Sequence, residues 1–157
     1  MKTLIVFMSK HGTTEKAANL LKEQLGNNET DLVNLGKEKT PNIALYDTVI
    51  VGGSIHAGSI QKGIKKFCRE NKQILLTKKT GYFISCMEKS KKQQEFEAAF
   101  DQELRDKAVA LGTFGGEFNF DKMNFFEKAI IKKISGFSSS VSDIDYDAIK
   151  EFASNFK

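Results

Sequence analysis

Apolar residues in this chain fall into two rhythms, and the rhythms alternate. Leu4, Ile5, Val6 and Phe7 run together without a polar break, which predicts a strand over residues 2–8 covered on both faces. Ser9, Gly12, Thr13 and Thr14 then turn the chain, and Ala17, Ala18, Leu20, Leu21 and Leu25 recur at helical spacing up to Gly26. A short second strand is predicted over 30–35, followed by a connection that contains the one proline, Pro41. DTVIVG at 47–52 is a third strand with the character of the first. Ile60, Ile64, Phe67 and Cys68 place a helix over about 59–71, and residues 80–86 form a fourth strand. Phe96, Ala99, Phe100 and Leu104 predict one long helix over 91–109, with residues 108–114 leading into a fifth strand. Ile149, Phe152, Ala153 and Phe156 mark a last helix from about 146 to 156. It opens after DID, where acidic side chains suit the positive end of the helix dipole.

Strand and helix in strict alternation, with strands apolar on both faces, predict a parallel sheet sandwiched between helices. Five strands are too few for a closed barrel, so the sheet is open and doubly wound. In such sheets a ligand sits beyond the carboxyl ends of the strands, where the strand order switches. Three loops should converge there: 9–14, 53–59 and 85–90. At 157 residues the chain is expected to form one domain over 1–157.

The first loop has the chemistry of an anion site. The opening N–H groups of a helix lack intrahelical partners, and small hydroxyl residues beside them can close on a phosphate. The triphosphate signature GxxxxGK[ST] is absent, and Lys10 precedes the glycine instead of following it. The three spaced glycines of a dinucleotide site are also missing. A terminal monophosphate fits hydroxyls plus N–H groups; the alternative is a helix capped by Ser9 or Thr13.

Composition narrows the classes further. No apolar run is long enough to span a bilayer, and the first residues lack a secretory pattern. Cys68 and Cys86 are too few and too distant for a disulfide framework, so a reducing cytoplasm is expected and both are read as apolar fillers. The formal charge of +4 comes with interleaved glutamates and no aromatic–basic platform, which argues against nucleic acid. A basic surface still suits an acidic protein or an anionic membrane face. Two histidines without a cluster of other ligands make a poor metal site, and GxSxG is absent, so metal and serine-hydrolase chemistry are not indicated. No catalytic side chain is assigned.

GGSIHAGSI at 52–60 supplies a thin second loop in which His56 is the one large polar side chain; it is either a ligand wall or a solvent-exposed turn. SCMEKS at 85–90 supplies the third loop. With SKHGTT, VGGSIHAG and SCME in this order, the chain resembles the flavodoxin-like FMN-binding family over essentially its whole length. The resemblance implies an α/β three-layer sandwich with a five-stranded parallel sheet of order 2-1-3-4-5, and noncovalently bound FMN. It implies that Ser9, Lys10, His11, Gly12, Thr13 and Thr14 wrap the phosphate. Ser54, Ile55, His56, Ala57 and Gly58 and then Ser85, Cys86, Met87 and Glu88 would flank the ring. GSIHAG, LGTFGGEF at 111–118 and FFEKAIIKKISG at 125–136 are similar to the menaquinone-dependent protoporphyrinogen dehydrogenase branch. The implied function is electron transfer through FMN with a redox protein, a quinone or a small-molecule donor or acceptor. Protoporphyrinogen oxidation is one alternative, and a cofactor-free binding or structural module is another.

Residues 118–136 mix Phe118, Phe120, Phe125, Phe126, Ile130, Ile131 and Ile134 with Lys122, Lys128, Lys132 and Lys133. Phe126, Ile130 and Ile134 stack at i, i+4 spacing with lysines at the rim. Such a strip is either a helix packed on the core or a surface for peripheral contact with a membrane, quinone or bulky substrate.

Overall fold

The computed structural model describes residues 1–26, 29–86, 89–118, 129 and 141–157. Strands β1 (Lys2–Phe7), β2 (Glu29–Asn34), β3 (Thr48–His56), β5 (Lys79–Ser85) and β6 (Ala110–Thr113) form a parallel sheet in the order β2-β1-β3-β5-β6. Those are the five anticipated strands in the anticipated order. The uninterrupted apolar runs are explained by alternation across the sheet. Leu4, Val6, Val49, Val51, Tyr82 and Ile84 enter one core, while Ile5, Phe7, Ile50 and Phe83 enter the other.

Helices α1 (Thr13–Leu25) and α6 (Tyr146–Ser154) cover the second face through Ala17, Ala18, Leu21, Ile149, Phe152 and Ala153. The first face is covered by α2 (Lys62–Glu70), α3 (Lys72–Leu75), α4 (Lys92–Ala99) and α5 (Gln102–Lys107), through Ile64, Phe67, Leu75, Phe96 and Leu104. Phe83 stacks on Phe114 at 4.7 Å between ring centroids, and its ring lies over the position where a Cβ on Gly52 would stand. Burial raises the Cys68 thiol to about 12, so it acts as an apolar filler. Among the described residues no helix is long and apolar enough to cross a membrane.

Three local expectations need correction. Residues 91–109 are two helices, because Phe100 is extended (φ −128°, ψ 137°) and Asp101 caps a new helix by accepting the Glu103 N–H at 2.9 Å. That bond, and then Lys72, hold the Asp101 carboxyl below its usual range. Residues 53–59 are not a loop: β3 continues to His56 and pairs antiparallel with β4 (Ser59–Ile60). The second predicted helix therefore begins at Lys62, and Ile60 reaches the same core from a strand. A separate antiparallel ribbon, β7 (Gly115–Phe118) with β8 (Val141–Ile144), was not anticipated. The strip at 118–136 lies outside the described residues, apart from the backbone of Phe118 and Ala129.

Candidate functional site

Parallel register brings three chain segments to one end of the sheet. Phe7 pairs with Gly52 and Gly52 with Phe83, so β1, β3 and β5 leave the sheet side by side. Two residues further on, Ser54 pairs with Ser85.

The first segment runs from Met8 into α1. Gly12 takes the N-cap position in the left-handed region (φ 91°, ψ −8°), where an L side chain is strained. No side chain caps the helix: Ser9 Oγ accepts from Gly12 N at 3.0 Å instead, folding the loop back on itself. The capping alternative for Ser9 or Thr13 is thereby overturned, because the glycine conformation carries the turn. Thr13 and Thr14 are buried, and Thr14 Oγ1 has no hydrogen-bond partner. A buried hydroxyl without a partner costs about 1–3 kcal/mol. An orphan hydroxyl in the first turn of a helix without a side-chain cap suits an anion, which would satisfy it at the positive end of the helix. Lys10 is exposed and His11 half-buried on the same loop.

The second segment is the hairpin of β3 and β4. Ala57 (φ 50°) and Gly58 (φ 79°) form a two-residue turn with both backbones left-handed, the condition for the hairpin turn that matches strand twist. His56, Ala57 and Gly58 are exposed at the tip, Ile55 is half-buried and Ser54 is buried. Gln61 fixes this hairpin, and no motif pointed to it. Its Oε1 accepts Ser54 N–H at 3.0 Å, while its Nε2 donates to Ser54 Oγ at 2.7 Å and to Met8 O at 3.2 Å. Ser54 Oγ lies 3.0 Å from His56 Nε2, and having accepted from Gln61 it can turn its own proton toward the ring. The His56 ring meets the His11 ring edge-on at 6.3 Å. First loop and hairpin are thus joined by a polar circuit through Met8, Gln61, Ser54, His56 and His11.

The third segment leaves β5 at Ser85, whose hydroxyl is buried and has no partner among the described residues. Cys86 N–H donates to Gly115 O at 2.7 Å, tying the segment to β7. Met87 and Glu88 lie outside the described residues. Of the buried hydroxyls without a partner among the described residues, those of Thr3 and Tyr82 lie back along β1 and β5, while Thr14 and Ser85 lie at this end of the sheet, with the bonded Ser54 on the strand between.

The sequence profile of the flavodoxin domain family matches residues 4–145. The chain belongs to that family. FMN is the cofactor this membership indicates, and an orphan hydroxyl in the uncapped first turn of α1 fits its phosphate. In fold the chain is similar to oxidised flavodoxin 1 from Bacillus cereus, at TM-score 0.60 and 17% identity, covering 99% of this chain and 97% of that one. It is similar to rubredoxin oxygen:oxidoreductase from Desulfovibrio gigas, at TM-score 0.62 and 17% identity, covering 98% of this chain but 34% of the larger protein. In sequence it is 20% identical over 168 residues to protoporphyrinogen IX dehydrogenase [quinone] from Escherichia coli K12, covering 98% of this chain and 93% of the relative.

Proposed function

We propose that residues 1–157 act as one FMN-binding electron-transfer domain, with the cofactor held across the carboxyl ends of β1, β3 and β5. The buried, unpartnered Thr14 hydroxyl in the uncapped first turn of α1 is the observation that carries this reading. Bound FMN supplies the redox chemistry, taking up and passing on one or two electrons. Ser9, Gly12, Thr13 and Thr14 hold the phosphate through hydroxyls and N–H groups, with Lys10 adding positive charge and His11 a polar ring at the rim. Ser54, Ile55, His56, Ala57 and Gly58 line one side of the ring, and Ser85, Cys86, Met87 and Glu88 the other. Gln61 holds the hairpin against the first loop, so the phosphate loop and one wall of the ring are set before the cofactor arrives. No side chain is required as a nucleophile.

The phosphate assignment is tested by comparing FMN with riboflavin, which has the ring without the phosphate. FMN should bind at least about tenfold more tightly, the value of one charge-assisted hydrogen bond near 1.4 kcal/mol. Equal affinities would remove the phosphate from the first loop.

The full-length match to the E. coli dehydrogenase favours a second, narrower reading: exchange of electrons with a quinone, with protoporphyrinogen IX as a donor. Residues 118–136 would then supply peripheral membrane contact from the cytoplasmic side. Anaerobic mixing of the FMN-loaded protein with protoporphyrinogen IX, followed by menaquinone, should bleach and then restore flavin absorption. An unchanged spectrum sinks the narrower reading and leaves the broader one standing.

A further inference from the structure

The chain's positive charge is concentrated around the three cofactor segments. Residues 8–12, 54–66 and 85–94 contain seven lysines and one carboxylate, that of Glu88. The remaining residues hold 17 Lys and Arg against 19 Asp and Glu, so these short stretches carry the whole of the net positive charge. Lys10, Lys62, Lys65, Lys66, Lys91 and Lys92 are all exposed.

Contacts place them at one end of the molecule. Gly63 lies against the Met8 thioether, and Gln61 bonds Met8 O, so the first turn of α2 stands beside the first loop. Helix α4, which begins at Lys92, packs against β4 of the hairpin. Carboxylates also stand near these segments. Glu95 is buried on α4, Glu15 is half-buried with Lys37 at 3.7 Å, and Glu70 reaches Lys66 at 3.9 Å from the far end of α2.

We propose that this basic rim is the docking surface for a redox protein that presents an acidic face. Charge complementarity names the partner's chemistry: fields of this kind raise encounter rates about 10- to 1,000-fold and orient the approaching surface. Approach at this end is what electron exchange needs, since the ring lies between the hairpin and the third segment. An anionic membrane is the competing occupant, and at this rim the described apolar residues argue against it. Among the described residues, the exposed large apolar side chains Met1, Leu45, Ile74 and Val109 lie near the amino ends of strands. Leu111 is on the sheet edge, Tyr146 opens α6, and none falls in the three segments. A rim that is charged without being apolar suits transient contact with a hydrated protein better than insertion into lipid. The proposal rests on the FMN reading for its function, while the location of the charge does not.

The test uses the FMN-loaded protein and a reduced acidic ferredoxin as electron donor, with flavin reduction followed by stopped flow. The second-order rate constant should fall steeply with salt. The triple variant Lys62→Glu, Lys65→Glu, Lys92→Glu should lose at least about tenfold at low ionic strength. The gap should close in about 1 M salt, where the Debye length is about 3 Å. FMN affinity should be unchanged, since none of the three lysines is assigned to the cofactor. A salt-independent rate, or equal rates for variant and parent, overturns the proposal. So does sedimentation with phosphatidylglycerol vesicles that the substitutions abolish, if it occurs without any salt-sensitive reaction with the ferredoxin. A chain that takes up no FMN refutes the FMN reading instead. The surface is then read from ferredoxin-induced amide shifts at low salt: shifts clustered in 54–66 and 89–94 support it, and shifts elsewhere overturn it.

Discussion

Replacing Gln61 by leucine removes the amide that joins the first loop to the hairpin while leaving a side chain of similar size. Three hydrogen bonds disappear. Ser54 N–H, in a buried residue, is left without its acceptor, and Met8 O loses a donor that sat at a longer 3.2 Å. Ser54 Oγ keeps His56 and suffers least. An unsatisfied buried group costs about 1–3 kcal/mol, so the substitution should destabilise the cofactor-free protein by about 2–4 kcal/mol. FMN binding should weaken separately, because loop and hairpin must then be ordered as the cofactor binds; about 1.4 kcal/mol, or tenfold, is expected. Urea denaturation measures the first effect and quenching of FMN fluorescence the second. Gln61→Glu is the control: it keeps an acceptor for Ser54 N–H but sets a carboxylate against Met8 O, so it should retain part of the stability and still lose affinity. Lower stability with unchanged FMN affinity would make Gln61 a packing residue and refute the idea that it prearranges the site.

Three further outcomes follow from the same geometry. Thr14→Ala should weaken FMN about 10- to 150-fold, the range given by a charge-assisted hydrogen bond of about 1.5–3 kcal/mol; an unchanged titration would remove Thr14 from the phosphate site. Gly52→Ala drives a methyl group into the Phe83 ring and should destabilise the fold by about 1–3 kcal/mol in a thermal melt, with no recovery from added FMN beyond that of the parent. Burial raises Cys68 to about 12, and burial followed by the Asp31 hydrogen bond raises Tyr46 to about 12. The unfolded chain thus releases these protons from about pH 9 and 10 upward while the folded chain keeps them, and stability must fall as pH rises from about 9 to 12. A melting temperature that stays flat or rises across that window would show that neither group is shielded, and rapid thiol labelling of Cys68 at pH 8 would show it for Cys68.

The sheet was legible because its strands declare both faces at once. Leu4 to Phe7 cannot be half-exposed, and Val49 to Val51 repeat the statement, so strand identity followed from apolar continuity and the parallel sheet from the alternation of such strands with helices. The first loop was legible for a similar local reason, since hydroxyl residues and one glycine lie between a strand and a helix. The hairpin was not. GGSIHAGSI is rich in residues that break structure, and the turn depends on Ala57 adopting a left-handed backbone that alanine does not advertise. The helix break at Phe100–Asp101 had a signal in DQE, a side-chain acceptor two residues before the N–H it caps, but apolar spacing ran through it unbroken. Gln61 had none. Its partners lie seven and 53 residues away, and only the folded register brings Met8 and Ser54 within reach of one amide.

The absorption spectrum of the purified chain bears most directly on the central claim. If the ends of β1, β3 and β5 hold FMN, the protein should be yellow, or become so on incubation with FMN, and should release one equivalent of FMN rather than FAD on denaturation. A colourless protein that binds no added FMN by fluorescence titration would contradict the account and leave a flavodoxin-like domain serving as a binding or structural module.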